Sequence, residues 1–399
     1  MHVDYQMISV DDHVDMQYLP KDLWTSRLPA HLRDRGPHVE ETDTGCIWVC
    51  DGKRWGNWAG GTTKQGPPRS YQNALERGGV YEPGVLRPTI AELRLQDMTR
   101  DGIEATFMFG PITAFAADNP ELRTAIYQAY NDWLAEFCAY DPHRLHGVSA
   151  LPGEDPQAAV AEMYRLARRG GTQQVNFLIR SATAIYEEAW EPFWAAAADT
   201  NLIVSFHVGG GAGFAPGARP ANPADEKPWT VFNPTKGFIN QFLDPFVGLI
   251  GHGVFERHPN LNVMLAEVGL GWLPWVVHEM DYRYQRLVDN RAYWSSRGGI
   301  VLSEPPSEVW KRNFWVTFQD DPVGLALLDF CNEDHILWAS DYPHPDSTFP
   351  DSQRIVAEQM AHITPEQRRK ILRDNPIALY RLEDRSATSG AARAVGASA

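Results

Sequence analysis

Cysteine is scarce in this chain: Cys46, Cys50, Cys138 and Cys331 are the four thiols in 399 residues. So few exclude a disulfide-built scaffold and predict a reduced, cytoplasmic setting. Cys46 and Cys50 share one strand-like stretch, but no second Cys/His pair lies nearby in sequence, which argues against a zinc knuckle. Cys138 and Cys331 read as buried small hydrophobes. Positive charge is also short, with 36 Lys and Arg against 51 Asp and Glu and a net charge of -15. With no basic stripe, nucleic acid is not an expected partner. No apolar run reaches the roughly 20 residues that a membrane helix needs, so no membrane partner is expected either. The start, Met1-His2-Val3-Asp4-Tyr5, lacks the basic-then-apolar pattern of a secretory leader. Missing too are a Gly-x-Gly-x-x-Gly turn after any early strand, a Walker-type glycine loop and a Gly-x-Ser-x-Gly elbow.

What is present is a folded globular composition, 43% hydrophobic and 11% aromatic, in a chain long enough to bury a large core. Eight short apolar runs read as strands: 6–10, 104–109, 146–150, 174–179, 202–206, 261–266, 314–318 and 336–340. Apolar residues at three- and four-residue spacing mark helices between them, at 90–100, 122–140, 156–168, 187–199, 251–258, 273–287, 323–330 and 352–362. A last helix opens at Thr364-Pro365-Glu366-Gln367 with a capping-box pattern. Strands without polar alternation are those of a parallel sheet buried on both faces. The alternation predicts one (β/α)8 TIM barrel over residues 1–384, in preference to a doubly wound sheet. Two segments exceed a minimal barrel. Residues 36–88 hold a predicted hairpin (46–50 with 53–58), and residues 208–236 are rich in Gly, Pro, Ala and Asn. Both leave strand carboxyl ends, so both are expected to arch over the active face. The Ser/Ala/Gly-rich tail 385–399 reads as disordered.

Three of the apolar runs hand over ligand-type side chains at their carboxyl ends. Asp11 and His13 follow the first, His207 the fifth and Asp341 the eighth. Asp11 and His13 are two apart on extended chain and point to one side. Two carboxylates and two imidazoles suit one divalent ion, Zn²⁺ first, with Mn²⁺ or Fe²⁺ as alternatives. Such an ion activates water or polarises a carboxylate or carbonyl. Glu267 ends the sixth run and is either a cap for the following helix or a general acid/base facing the metal. His344, three residues past Asp341, binds substrate, orients Asp341 or is a plain loop residue. His143 and His146 bracket a strand start on the opposite side, and Trp272 and Trp275 read as packing or subunit contact.

The ordered set Ile8-Ser9-Val10-Asp11-Asp12-His13, Tyr130-Asn131-Asp132-Trp133, Val204-Ser205-Phe206-His207, Phe255-Glu256-Arg257-His258-Pro259, Glu267-Val268-Gly269, Trp338-Ala339-Ser340-Asp341-Tyr342-Pro343-His344 and Asn375-Pro376 resembles the amidohydrolase-related family that includes aminocarboxymuconate-semialdehyde and resorcylate-type decarboxylases. The resemblance implies a metal-dependent barrel whose ligands are Asp11, His13, His207 and Asp341. It also implies a homodimer or higher homo-oligomer acting on a small molecule. Those decarboxylases carry a histidine where this chain has Glu267. No lysine stands on the fourth strand, so a carbamylated two-metal centre is not expected. The leading reading is a decarboxylase of a small unsaturated or aromatic carboxylic acid, with Glu267, Asp341 and His344 as catalytic candidates. The alternative is a hydrolase of an amide, lactone or carbon–carbon bond, and a non-catalytic binding barrel ranks third.

Overall fold

Eight short, apolar stretches pair side by side and all run parallel. In this computed structural model the described residues are 6–382, apart from 44, 59–73, 112–116, 154, 177–183, 208–232 and 297–301. The strands of the ring are β1 (Ile8–His13), β5 (Ala105–Phe109), β6 (Leu145–Gly147) continued by β7 (Ser149–Ala150), β8 (Gln174–Asn176), β9 (Ile203–His207), β10 (Val263–Ala266), β11 (Phe314–Phe318) and β12 (Ile336–Trp338). The inserted strands β2, β3 and β4 are described below. Pairing runs β1-β5-β6 and β7-β8-β9-β10-β11-β12, and the gap at Val148 is bridged by its N–H to the Met108 carbonyl at 2.9 Å. The ring closes just past β12: Asp341 N–H donates to the Asp11 carbonyl at 2.9 Å and His13 N–H to the Tyr342 carbonyl at 2.7 Å. The expected (β/α)8 architecture is the one observed.

Most ring strands are buried along their whole length, as a helix-covered parallel sheet requires. Inside the ring, Ile8, Val10, Phe107, Met264, Trp315 and Leu337 form one apolar filling. Its floor is sealed by Tyr380 from the last helix, stacked on Phe107 at 3.6 Å between ring centroids. Each such fully buried large side chain contributes on the order of 1.5–3 kcal/mol. Outside, the covering helices start from a recurrent local device, a capping side chain followed by proline. Asn119 caps Pro120–Cys138, Asp155 caps Pro156–Arg169, Asp321 caps Pro322–Ala326, and Thr364 with Gln367 forms the anticipated capping box on Pro365–Arg369. Asn131 and Asn375 are buried pins rather than site residues. Asn131 bonds the Ala150 backbone in both directions, and Asn375 holds the Glu333 and Ile336 carbonyls.

The insertion after β1 holds the expected hairpin, β3 (Gly45–Cys50) with β4 (Lys53–Trp58). A first strand that was not expected, β2 (His38–Thr42), extends it to a three-stranded antiparallel sheet. The first strand gives no signal in the sequence because His38-Val39-Glu40-Glu41-Thr42 carries mostly polar, exposed side chains. Asp51 and Gly52, both at positive φ, make the β3–β4 turn. Trp48 and Trp58 donate their indole N–H to the Met16 and Leu19 carbonyls at 2.7 and 2.8 Å, seating this sheet on the chain leaving β1. A second correction is the helix Asn233–Gly251, which the apolar spacing does not predict. Its Asn-Pro start and internal Pro245 resemble loop sequence. Of the insertion 208–236, residues 208–232 lie outside the described residues, as does the tail 385–399. Cys138 and Cys331 are partly rather than fully buried. No helix among the described residues is long and apolar enough to cross a membrane.

Candidate metal centre

β1 runs on through the motif that was expected to follow it, so Asp11 and His13 are the last residues of a strand. Both are fully buried. The pairing with β5 shifts register between Ser9 and Asp12, a bulge of the kind that re-aims side chains at barrel rims. His207 ends β9 and Asp341 lies three residues past β12. These four, far apart in sequence, converge. His207 Nε2 lies 3.1 Å from Asp11 Oδ1, and His13 Nε2 lies 3.1 Å from Asp341 Oδ1 and 3.5 Å from Asp11 Oδ1. The two imidazoles meet edge to face at 4.8 Å, and Phe109 closes one side, 4.8 Å from the His207 ring. The ring nitrogens of His13 and both carboxylate oxygens of Asp341 are buried without a properly directed hydrogen bond. Lone-pair atoms turned toward one another in a dry site are costly unless a cation lies among them. Asp11, His13 and His207 therefore present ligand atoms at spacings that fit a single divalent ion, and Asp341 adjoins them at His13 Nε2.

Glu267 directly follows β10. Its backbone is left-handed (φ 60), as is that of Asp341 (φ 59). For a side chain with a Cβ this strain costs of the order of 1–3 kcal/mol, and it recurs at two residues of one site. Glu267 N–H donates to Thr317 Oγ1 at 2.7 Å, while the Thr317 hydroxyl reaches Asp11 Oδ2 at 3.4 Å. The Glu267 carboxyl lies 3.6 Å from His207 Nε2. Burial first, and then the nearby Asp341 and Asp11 charges, push its pKa well above the usual carboxylate range. The helix-cap reading of Glu267 is not what is found, because Asp321 takes the Leu270 and Gly271 N–H groups instead.

His344 joins the site from the loop after Asp341. Nδ1 lies 2.9 Å from Asp341 Oδ1 and Nε2 2.8 Å from Asp15 Oδ2. Burial opposes its positive charge, but the flanking Asp341 and Asp15 carboxylates overcome this and raise its pKa well above the ordinary histidine value. In turn, burial pushes Asp341 upward, while His344 and His13 hold it below the usual range.

Two neighbours carry no role legible in the sequence. Asp12, between the two β1 ligand candidates, faces the other way and is fully occupied. Its Oδ1 accepts from Ser9 Oγ (2.8 Å), Ser340 Oγ (2.7 Å) and Tyr342 N (3.1 Å), and its Oδ2 accepts from the Thr106 hydroxyl. Arg94, which also donates to the His13 carbonyl at 2.9 Å, lies 3.5 Å from Asp12 Oδ2. This knot ties β1 to the β12 loop and fixes the backbone that carries the ligands. Asp15 is the second. His143 and His146 lie at the opposite end of the ring, as expected. His258 pairs with Glu191 at 2.7 Å, away from the site.

A family model described as amidohydrolase matches residues 82–382. Among curated proteins, the gamma-resorcylate decarboxylase of Rhodococcus jostii (strain RHA1) is 28% identical over 318 residues, covering 74% of this chain and 88% of that protein. Among solved structures, an amidohydrolase of Mycobacterium avium subsp. paratuberculosis K-10 superposes with a TM-score of 0.69 at 21% identity, covering 94% of this chain and 99% of that one. A 5-carboxyvanillate decarboxylase of Novosphingobium aromaticivorans DSM 12444, solved with bound manganese, gives a TM-score of 0.65 at 16% identity over 95% of this chain and 98% of that one.

Proposed function

The chain belongs to the amidohydrolase family, and on that premise we propose that it is a metal-dependent decarboxylase of a small aromatic carboxylic acid bearing a neighbouring oxygen. The observation that carries the reading is the convergence of Asp11, His13, His207 and Asp341 with the Glu267 carboxyl beside them, 3.6 Å from His207. The four ligand candidates would hold the divalent ion, which supplies Lewis acidity and an anchor for the substrate carboxylate. Manganese in a neighbouring structure favours Mn²⁺, and Zn²⁺ and Fe²⁺ suit the same donor set.

The remaining chemistry belongs to the chain. Loss of CO₂ breaks the bond between ring carbon and carboxylate carbon, and the electron pair left on the ring carbon must take up a proton. Glu267 is the donor in this reading. Burial and the nearby Asp341 and Asp11 charges raise its pKa, which favours the protonated form that a general acid needs. It gives up the proton, is left as carboxylate and is recharged from solvent. His344 is a poor second candidate, because both its ring nitrogens already face carboxylates. Phe109 and the surrounding buried strands keep the site dry, which sharpens each charge interaction.

The test uses purified enzyme with Mn²⁺ and a panel beginning with 2,6-dihydroxybenzoate, run in ¹⁸O-water. CO₂ release with no label in the organic product is the expected result. Label in the organic product would point to the hydrolytic alternative, and no CO₂ from any aromatic acid would overturn the reading. The same proposal treats residues 1–384 as one barrel domain.

A further inference from the structure

Asp15 stands where the cap of the short helix Met16–Tyr18 belongs, yet its side chain makes no capping hydrogen bond. The carboxylate turns instead to two histidines, with Oδ2 2.8 Å from His344 Nε2 and Oδ1 3.6 Å from His13 Nδ1. The His344 ring lies flat on His13, 3.8 Å between centroids and 25° from parallel. Its second nitrogen rests 2.9 Å from Asp341 Oδ1. One carboxylate outside the candidate ligand set thus lies 3.6 Å from a candidate ligand histidine and reaches a candidate ligand carboxylate through one further imidazole.

We propose that Asp15 is the positioning residue of the metal centre. It clamps His344 against Asp341 and faces the outer, Nδ1 side of His13. An imidazole has two nitrogens, and the partner of one decides which of them is free to bind a metal. His13 Nε2 is the atom near Asp11 and Asp341, at 3.5 and 3.1 Å, so Nδ1 is the one that needs an outer acceptor. Asp15 is the carboxylate on that side. Through His344 it fixes Asp341 Oδ1, the same oxygen that lies 3.1 Å from His13 Nε2. Without Asp15, His344 is held on one side only.

The inference rests on the metal-site reading above, and its test does not need turnover. Full-length protein labelled with ¹⁵N-histidine is compared as wild type, Asp15→Ala and Asp15→Asn, with thermal unfolding run on each. Metal-free wild type is expected to show a hydrogen-bonded Nε2–H on His344. Asp15→Ala should lose that signature and bind Mn²⁺ about 10- to 100-fold more weakly by chelator competition. Asp15→Asn, which keeps an acceptor oxygen at the same reach, should recover part of each. Folded variants with wild-type histidine signals and wild-type Mn²⁺ affinity would overturn the proposal. Failure of both variants to fold would also overturn it, since Asp15 would then serve the fold rather than the site. Weakened Mn²⁺ binding in a protein that decarboxylates nothing would leave this inference standing and remove the activity reading. Decarboxylation with unchanged Mn²⁺ affinity in the variants would do the reverse.

Discussion

At the residue scale, Glu267 and Asp341 share an uncommon left-handed backbone but are assigned opposite roles. The raised pKa of Glu267 suits a proton donor, and the lowered pKa of Asp341 suits a charged partner of His13 and His344. Replacing Glu267 with Gln removes the transferable proton while keeping size and polarity. The proposed role predicts a kcat lower by about 10²–10⁴-fold with bound metal unchanged, measured by CO₂ release and elemental analysis of one preparation. A metal-replete Glu267→Gln enzyme with normal turnover would remove Glu267 from the chemistry. Asp341→Asn probes the second role. It should weaken Mn²⁺ binding beyond the 10- to 100-fold typical of losing an outer partner, read by equilibrium dialysis. These two residues and the ligand candidates Asp11, His13 and His207, which the fold brings together, were legible in the sequence because each follows or ends an apolar strand. Asp12, Asp15 and Thr317 were not. Their partners lie on distant strands, as with Asp15 and His344, 329 positions apart, and a lone Asp near a helix start reads first as a cap.

At the scale of the element, the ring strands were legible because parallel strands buried on both faces leave uninterrupted apolar runs. The exposed strand β2 and the proline-containing helix Asn233–Gly251 lack such a signature. Strand β6 carries a testable consequence of burial at the far end of the ring. The His146 ring lies against Phe107, 4.6 Å between centroids and 15° from parallel, and its Nε2 is buried without a hydrogen bond. Burial lowers its pKa from 6.5 to about 4. Between those values the unfolded chain takes a proton that the folded one refuses, so stability is present above pH 6.5 and is lost as pH falls toward 4. At about 1.4 kcal/mol per unit, the loss from this side chain is roughly 3 kcal/mol. His146→Phe keeps the stack and removes the titration. Its unfolding free energy in urea should fall less than that of wild type between pH 7 and pH 4.5. Equal falls in the two proteins would show that His146 is not the group responsible.

For the whole molecule, the candidate site sits on the seam where the ring closes. Backbone bonds join β1 to the chain past β12 at Asp11–Asp341 and His13–Tyr342, and the same residues, with His207 from β9, are the ligand candidates. Without a cation this seam gathers the Asp11 and Asp341 carboxylates at His13 Nε2 and the Asp15 carboxylate at the outer nitrogens of His13 and His344, in a chain already at net charge -15. A divalent ion there would bind the closed ring and not the unfolded chain, so it should stabilise the entire barrel by mass action. At a free Mn²⁺ concentration of 100 times Kd, the gain is about 2.7 kcal/mol. With an unfolding entropy near 2.1 cal/mol/K per residue, that corresponds to a rise in Tm of about 3 °C for a barrel of this size. The expected result is a Tm that climbs with the logarithm of Mn²⁺ concentration in wild type and Glu267→Gln alike. It should stay flat over the same range in Asp341→Asn. A metal-dependent rise that survives in Asp341→Asn would place the stabilising ion elsewhere on the molecule. No rise in wild type would separate the closure of the ring from the occupation of its site.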